Sequence, residues 1–267
     1  GGYTNGKFSS PFRFVACEDV VINNGVNDSP LGWLIDSYNK NIRLNSASYI
    51  NSNMQIVTDI INGTAEPDML AVYIGQNTYD VHISGGEWVN FGRKGLYAEV
   101  ASQIYIDNVA SKCTNLSNIA SFIEIQGNYK DASNTYNGNC ADIYINNVSS
   151  TGTKEGINTT PLNGVQGIKN FNVSNANVTI NSNVESLVLR GVADSLISEY
   201  HTNGSLYIGA NLSNVNIKSS SFTKQSNYAL YIADMGTSSN VNISDVYFKV
   251  TTGVAIYNNG GGSNTLL

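Results

Sequence analysis

Apolar residues alternate with polar ones along short segments, most clearly between residues 227 and 258. There Leu230 and Ile232 form one alternating pair, and Val241 and Ile243 form a second pair after a polar turn. A period of two places such residues on one face of a β-strand. The stretch therefore predicts two strands in each repeating unit.

The preceding stretch of the chain repeats this pattern at a spacing of about two dozen residues. Five positions superpose: Leu206, Ile208, Val215, Ile217 and Phe222 match Leu230, Ile232, Val241, Ile243 and Phe248. Repeats of roughly 20–50 residues are typical of solenoids, propellers and arrays. The sequence therefore predicts strands that repeat as a unit.

The same alternating pairs occur through much of the chain. They include Val20/Ile22, Ile42/Leu44, Val72/Ile74, Val81/Ile83, Leu96/Ala98, Ile104/Ile106, Ile123/Ile125, Ile143/Ile145 and Leu187/Leu189. Residues 50–68 break the rhythm and indicate an insertion or a short helix, and residues 150–175 are irregular. A long polar insertion runs from Gly127 to Cys140.

Strand spacing alone leaves an antiparallel sandwich or barrel open. A parallel β-helix is favoured because the cycle repeats as a unit, so that stacked cycles bury one continuous core. We expect an all-β fold of about ten coils, with residues 1–267 as one domain cut from a longer chain. One interior stack is predicted to contain Ile74, Ala98, Ile125, Leu189, Ile208 and Ile232. Asparagines beside the strand ends are expected at tight, sometimes left-handed corners: Asn23, Asn146, Asn147, Asn216 and Asn242.

The amino-acid composition disfavours some classes of binding partner. Charged residues make up 13% of the chain and hydrophobic residues 41%, which is enough apolar material for an ordered core. The net charge of −6 weighs against nucleic acid and anionic membranes, because both need clustered Lys and Arg. The longest apolar runs are far shorter than the roughly 20 residues that span a bilayer, so no membrane insertion is expected.

The cysteines and glycines give no sign of a metal or cofactor. Cys17, Cys113 and Cys140 form no CxxC motif, and no Asp-rich calcium loop or phosphate-binding Gly motif is present. We therefore expect no cofactor and no metal site. The main interpretation is three buried or half-buried thiols, and a Cys113–Cys140 disulfide is the alternative.

In a parallel β-helix, outward residues of successive coils form columns with a spacing of about 4.8 Å. One predicted column runs Tyr73, Tyr97, Glu124, Val188, Tyr207, Tyr231, and the next runs Gly75, Glu99, Gln126, Arg190, Gly209, Ala233. Tyrosine faces beside carboxylates suit a sugar-binding groove. The alternative is that tyrosine is simply a good strand residue on a wet face.

Glu99 and Glu124 are the candidate catalytic pair. Neighbouring coils and columns put their backbones about 8 Å apart on the diagonal. That value overlaps the roughly 6.5–9.5 Å separation of an inverting glycosidase pair. The alternative is two solvated glutamates. The predicted substrate-binding residues are Tyr73, Tyr97, Gln126, Arg190, Tyr207, Trp88 and Tyr129.

Other residues suggest weaker sites. A second column, Arg43, His82, Tyr105 and Tyr144, with Asp107 beyond it, could serve a β-eliminating lyase, in which Arg neutralises a uronate and Tyr or His moves protons. Trp88 is expected at a corner or loop, either as a stacking platform or packed under its own loop. Tyr129 and Tyr136 in the long insertion could wall a groove. His201 is expected in a surface turn.

The segments SNVNIKSSSF and SNVNISDVYF carry a family resemblance. The pattern x-N-V-x-I-x-x-x-x-F after a Gly-led strand resembles the right-handed parallel β-helix proteins of the pectate-lyase-like superfamily, over about four fifths of the chain. Low charge and Asn/Ser/Tyr richness are most similar to the central domain of a bacteriophage tailspike. The chain lacks the Asn-Thr-Asp, Asp-Asp and Gly-His-Gly set of polygalacturonases and the Arg-x-Pro-x-x-Arg stretch of pectate lyases.

The resemblance implies a single-stranded right-handed β-helix on an extracellular virion tail. Such proteins are typically homotrimers that bind, and usually cleave, a bacterial capsule or O-antigen polysaccharide. Endoglycosidic hydrolysis is the leading expectation for function. A non-catalytic receptor-binding or adhesin β-helix is the first alternative, and a secreted or cell-surface polysaccharide lyase or epimerase is the second.

Overall fold

The computed structural model describes residues 12–29, 31–52, 70–114, 120–127, 138–161, 167–181, 184–233 and 238–259. These residues form strands and turns, with no helix among them. The strands are β1 Phe12–Phe14, β2 Glu18–Asn23, β3 Val26–Asn27, β4 Trp33–Ile35, β5 Lys40–Asn45, β6 Ser48–Ile50, β7 Leu70–Ile74, β8 Tyr79–Ser84, β9 Glu87–Val89, β10 Lys94–Glu99, β11 Ser102–Asp107, β12 Ala110–Lys112, β13 Ser121–Gly127, β14 Cys140–Thr153, β15 Glu155–Pro161, β16 Ile168–Ile180, β17 Glu185–Leu189, β18 Val192–Thr202, β19 Ser205–Ile208, β20 Ser213–Lys218, β21 Ser221–Asn227, β22 Leu230–Ile232, β23 Ser239–Ser244, β24 Tyr247–Gly253 and β25 Ile256–Asn258.

The strands wind into a parallel β-helix. A ten-stranded sheet, called here the first sheet, has the order β1-β4-β7-β10-β13-β15-β17-β19-β22-β25. The remaining strands form a sheet that bends into two faces. The second face contains β2, β5, β8, β11, β20, β23 and the first parts of β14, β16 and β18. The third face contains β3, β6, β9, β12, β21, β24 and the last parts of the same three long strands. All pairings among the described strands are parallel, which confirms the predicted all-β class and the parallel β-helix.

The repeat read from the sequence is the repeat of the structure. Leu206 and Ile208 of β19 pair with Leu230 and Ile232 of β22. The other superposed residues, Val215, Ile217 and Phe222, pair with Val241, Ile243 and Phe248. Each strand therefore stacks on the matching strand of the next coil, as the alternating pattern predicts.

The predicted interior stack also forms, with one additional member. Ile74 pairs with Ala98, and Ala98 pairs with Ile125, all fully buried. The prediction that Leu189 directly follows Ile125 in this stack is wrong. Thr159 of β15 pairs with Ile125 and is followed in the stack by Leu189.

The omission has a physical reason. Thr159 is fully buried, and its hydroxyl contacts the carbonyl oxygens of Val188 and Arg190, each at 3.1 Å. These contacts satisfy a polar group that would otherwise cost free energy inside the core. A hydroxyl at an interior position breaks the apolar alternation, so the pattern does not reveal β15 and residues 150–175 look irregular in the sequence.

Left-handed residues form columns at the bends. One column starts the second-face strands: Asp19, Asn41, Asp80, Gln103, Asp142, Asn170, Asp194, Asn214 and Asn240. Another separates the second and third faces: Asn24, Ser46, Gly85, Asn108, Asn147, Asn175, Glu199, Ser219 and Asp245. Asn and Asp tolerate this conformation better than other residues with side chains. Of the asparagines predicted at corners, only Asn147 has a positive φ; Asn23, Asn146, Asn216 and Asn242 lie on strands.

The three cysteines are free thiols, so the alternative of a Cys113–Cys140 disulfide is wrong. Both are buried, and their sulfur atoms contact the backbone oxygens of Phe91 and Gln126 respectively. In the part of the chain that the structure describes, there is no helix long and apolar enough to cross a membrane.

Candidate functional site

Parallel pairing brings five of the predicted site residues together on the outer surface of the first sheet. Tyr73 of β7 pairs with Tyr97 of β10, and Tyr97 pairs with Glu124 of β13. One position along, Glu99 pairs with Gln126. These residues lie between interior ones in each strand, so they share one face. Together with Lys94 they are called here the carboxylate cluster.

Glu99 is held by two tyrosine hydroxyls. Tyr73 donates to Oε2 at 2.7 Å and Tyr97 donates to Oε1 at 2.6 Å. Gln126 contacts the same Tyr97 hydroxyl through its side-chain amide. Only 9% of Glu99 is exposed. Two donors to one carboxylate fix its orientation.

Glu124 is paired with a lysine that the sequence analysis did not select. Lys94 Nζ forms an ion pair with Glu124 Oε2, and both side chains are about nine-tenths buried. The same ammonium lies 4.0 Å from the centroid of the Tyr97 ring. Burial lowers the pKa of Lys94, and the nearby Glu124 carboxylate opposes that shift. Lys94 was missed because β10 pairs it with Ser121, outside the columns read from the alternation.

Tyr97 connects the two glutamates. Its hydroxyl contacts Glu99, and its ring carries the ammonium that pairs with Glu124. Burial raises the pKa of Tyr97 far above its ordinary value, and the hydrogen bond to Glu99 adds to the shift. Tyr97 is therefore a hydrogen-bond donor at neutral pH and not a base.

Asn158 is a second residue that the sequence analysis missed. It pairs with Glu124 on one side and Val188 on the other, so it continues the column of Tyr97. Its side-chain Oδ1 is buried and has no hydrogen-bond partner among the described residues. An unpaired buried acceptor costs about 1–3 kcal/mol. No apolar or aromatic signal marked this position, because it belongs to the strand that was missed.

Further along the same face, tyrosines stack on one another. The ring centroids of Tyr207 and Tyr231 are 5.2 Å apart, and those of Tyr231 and Tyr257 are 5.4 Å apart. Tyr228 packs beside this ladder, with its centroid 4.7 Å from that of Tyr231. The rings are within about 20° of parallel along the ladder. The ring faces that the three stacked tyrosines turn toward one another are thus not accessible to a ligand. The ring edges and the hydroxyl groups remain accessible.

This arrangement corrects the expected mode of sugar binding. The predicted groove would place tyrosine faces against the apolar side of a pyranose, whereas ring-to-ring stacking already uses the faces of Tyr207 and Tyr231. Tyr73 and Tyr97 are also in contact, with centroids 5.9 Å apart and planes tilted by 37°. Neighbouring side chains of a parallel sheet are close enough for this contact. Phenol hydroxyls, as donors and acceptors, are the groups this face offers.

Arg190 covers the face of Tyr207 that Tyr231 does not. Its guanidinium carbon lies 4.5 Å from the centroid of Tyr207. Its backbone is fixed by Thr159, whose hydroxyl accepts from the Arg190 N–H at 2.8 Å. No acidic side chain pairs with the guanidinium among the residues described here. Stacking uses the plane of the guanidinium and leaves its edge donors free for an anion.

Two predicted substrate-binding residues are not part of this surface. Trp88 lies in β9 on the third face and is fully buried, packed against Phe122 with a centroid distance of 6.1 Å. The prediction that Trp88 contacts substrate is therefore wrong, because its strand turns the ring into the core. Tyr129, with Tyr136, lies outside the described residues.

The column predicted for a lyase forms on the second face. His82 stacks on Tyr105 at 4.3 Å, and Tyr105 stacks on Tyr144 at 5.2 Å. Arg43 and His82 both contact Asp80, at 3.2 Å and 3.0 Å. The arginine that would neutralise a uronate is thus already paired with a carboxylate.

Asp107 and His201 are also on strands. Asp107, at the end of β11, accepts hydrogen bonds from the side chains of Asn146 and Asn147 at 3.0 Å and 3.2 Å. His201 belongs to β18 and contacts Ser221 at 2.9 Å. The prediction of a surface turn at His201 is wrong, because β18 continues through that bend of the chain.

Comparisons with known proteins give one structural likeness. No protein family matches the sequence, and no curated protein matches it. Among solved structures, the endo-xylogalacturonan hydrolase from Aspergillus tubingensis overlaps 91% of this chain and 85% of its own, with 8% identity and a TM-score of 0.42. At that identity and TM-score the overlap supports no inference about activity.

Proposed function

We propose that this protein binds an extended polysaccharide along the outer surface of the first sheet and hydrolyses it within its chain at the carboxylate cluster. The observation that supports this is the position of Glu99 and Glu124 on either side of Tyr97, on the face that also carries the tyrosine ladder. A solenoid sheet gives a long, straight surface, and an extended polymer can contact several coils at once.

Glu99 serves as the general base in this proposal. Tyr73 and Tyr97 fix both of its carboxylate oxygens through hydrogen bonds. It removes a proton from a water molecule whose oxygen attacks the anomeric carbon, and the glycosidic bond breaks. A fixed carboxylate of this kind is the base of an inverting glycosidase.

The Lys94–Glu124 pair serves as the acid. The ammonium of Lys94, which forms an ion pair with Glu124, supplies the proton, because burial lowers the pKa of Lys94. That proton passes through Glu124 to the leaving oxygen when the glycosidic bond breaks. Proton exchange with solvent then returns Glu99 and the pair to their starting states.

The proposed substrate is a bacterial capsule or O-antigen, and the proposed setting is an extracellular, tailspike-like homotrimer on a virion. The repeat and composition of the chain support this setting. A secreted or cell-surface protein is the alternative. Arg190 is proposed to pair with an anionic substituent of the polymer, and Tyr207 with a hydroxyl group.

Binding without cleavage is the second candidate function, and one observation favours it. Both glutamates are engaged by protein side chains, and Glu99 is only 9% exposed. Catalysis requires the polymer to displace part of these contacts, whereas recognition does not.

A depolymerisation assay tests the proposal. A panel of purified capsular and O-antigen polysaccharides, acidic and neutral, is incubated with the protein, and the products are analysed. New reducing ends are the expected result. Unsaturated ends that absorb in the ultraviolet would indicate a lyase and overturn the assigned chemistry. Retention of a polysaccharide on immobilised protein without new ends would leave recognition as the function.

A further inference from the structure

A second cleft lies on the third face, near the C-terminal end of the described chain. Strand β18 pairs with β21 only through His201–Ser221 and Thr202–Phe222. Beyond that point β21 continues to Asn227 alongside β24, with no further pairing to β18. The sheet therefore steps from shorter to longer strands, and the step forms a cleft of about 500 Å³.

The chemistry of the cleft differs from that of the whole chain. Its lining residues come from four successive coils: Ile180, Asn181, Asn203, Thr223, Lys224, Gln225, Lys249 and Thr251. The chain carries a net charge of −6, yet this lining has two lysines and no acidic residue. Amide and hydroxyl groups supply the rest of its polar atoms.

The wall of the cleft is already ordered. The side-chain amide of Asn203 forms two hydrogen bonds with the backbone of Ile180. Its Oδ1 accepts from the Ile180 N–H at 2.8 Å, and its Nδ2 donates to the Ile180 carbonyl oxygen at 2.9 Å. The Thr223 hydroxyl donates to the carbonyl oxygen of Thr202 at 3.0 Å. Thr223 and Lys249 are paired positions of neighbouring strands. A site held in this way loses little conformational freedom when a ligand binds.

The two lysines of the cleft have no acidic partner within ion-pair distance in the described part of the chain. Lys249 is exposed, while Lys224 is 5% exposed and donates to the Ser205 hydroxyl at 3.1 Å. Burial lowers the pKa of Lys224, and the more distant Glu185 opposes that shift. The cleft therefore holds positive charge that no carboxylate in the described part of the chain neutralises through an ion pair.

We propose that this cleft binds an anionic sugar, with Lys249 paired to the anion and the amide and hydroxyl side chains bonded to ring hydroxyls. A volume of about 500 Å³ lies in the range of small-ligand sites. Hydroxyl-rich ligands need the kind of donors and acceptors that Asn181, Gln225 and Thr251 present. A carboxylate or a phosphate satisfies the charge equally well.

The cleft is separate from the proposed polysaccharide site. The carboxylate cluster lies on the first sheet, on β7, β10 and β13, whereas the cleft lies on the third face between β16 and β24. The inference thus adds a second carbohydrate site and does not depend on cleavage at Glu99 and Glu124.

Titration of the full chain with small probes tests the proposal. Glucuronate, glucose 6-phosphate and glucose are added separately, and amide chemical shifts are followed by NMR. We expect saturable shifts at Thr223, Gln225, Lys249 and Thr251 with one or both anionic sugars, and the comparison shows which anion is preferred. Glucose is expected to bind at least about fivefold more weakly, because it lacks the ionic contact.

Matched lysine variants make the test specific. Lys249→Gln is expected to weaken binding of the preferred anionic sugar about fivefold. Lys218→Gln changes an exposed lysine on the second face and is expected to leave binding within twofold. Glu99→Gln is expected to leave binding of the anionic sugar in the cleft unchanged as well. Loss of cleavage at the carboxylate cluster and loss of binding in the cleft can therefore be observed separately. Equal binding of glucose, absence of any binding, or an unchanged Lys249→Gln variant would overturn the proposal.

Discussion

The hydroxyl of Tyr97 lies 2.6 Å from Oε1 of Glu99, two residues further along the same strand. Alternation along a strand puts both side chains on one face, where they are close enough to bond. This contact, with the second one from Tyr73, makes the position of the Glu99 carboxylate depend on phenol hydroxyls.

Removal of the Tyr97 hydroxyl is therefore expected to destabilise the folded protein. Tyr97→Phe keeps the ring under Lys94 and leaves one oxygen of a largely buried carboxylate without its donor. The expected loss is about 1–3 kcal/mol in the free energy of unfolding, measured by urea denaturation. Tyr79→Phe, at a more exposed tyrosine on the second face, serves as the control and should change stability little. Equal stabilities of the wild type and Tyr97→Phe would show that the contact contributes nothing.

Replacement of either glutamate by glutamine separates cleavage from binding. Glu99→Gln and Glu124→Gln keep the shape of the side chain but cannot exchange the proton that hydrolysis needs. Each is expected to lose cleavage by at least about a hundredfold while the protein remains folded. The measurements are reducing-end release and circular dichroism.

Glu87→Gln provides the matched control for these variants. Glu87 is an exposed glutamate on the third face, away from the carboxylate cluster, and its variant should cleave normally. Full activity in Glu99→Gln or in Glu124→Gln would remove that residue from the proposed mechanism.

A charge placed in the interior stack is expected to prevent folding. Ile208 is fully buried between Leu189 and Ile232, so the carboxylate of Ile208→Asp would have neither water nor a cationic partner. We expect this variant to appear in the insoluble fraction on expression. Val21→Asp introduces the same charge at a residue that is 56% exposed and should fold. A soluble, cooperatively unfolding Ile208→Asp protein would contradict the assigned core.

Arg190 is expected to set a preference for acidic polymers. Its edge donors can pair with a carboxylate, so Arg190→Gln should weaken binding of an acidic polysaccharide and reduce its dependence on salt. Arg190→Lys should retain part of the affinity, because the charge remains while the bidentate geometry is lost. Binding is measured on immobilised polysaccharide between low and high salt. An equal loss for a neutral polymer would indicate that Arg190 acts through packing on Tyr207.

The buried thiols predict a loss of stability in alkali. Burial raises the pKa of Cys113 and of Cys140 to about 12, from an ordinary value of 9.0. Between these values the unfolded chain releases protons that the folded protein retains, so the free energy of unfolding falls as pH rises. The slope is about 1.4 kcal/mol per pH unit for each thiol. Lys94, whose pKa is lowered, has the opposite effect up to its ordinary value of 10.5.

Urea denaturation under reducing conditions at pH 9 and pH 11 measures this slope. Cys113→Ala and Cys140→Ala should each make it shallower. A slope that neither substitution alters would assign the alkaline effect to other groups.

The sequence was sufficient for the fold wherever an interior position is apolar. The pairing of Ile208 with Ile232 follows from the repeat alone. The sequence did not identify Thr159 as an interior residue. The reason is that a threonine counts as polar in the alternation even where its hydroxyl forms hydrogen bonds inside the core. The prediction was also inaccurate at the bends, where for example Asn24 is left-handed and Asn23 is not.

The candidate site was predictable only in part, for a related reason. Alternation identifies which residues share an outward column, and so it brought Tyr73, Tyr97 and Glu99 together. It does not show the direction of a long side chain, so it missed the reach of Lys94 to Glu124. It also does not show that stacked rings occupy one another's faces.

The hydrogen bonds of Thr159 connect the inside of the protein with its outer surface. Its hydroxyl fixes the backbone of Arg190, whose guanidinium lies over Tyr207. A change such as Thr159→Val preserves side-chain volume and is invisible from outside, yet it releases the segment that carries the guanidinium. In a library of random variants screened for a change in ligand preference, hits are therefore expected at this hidden residue as well as at the residues in contact with the polymer.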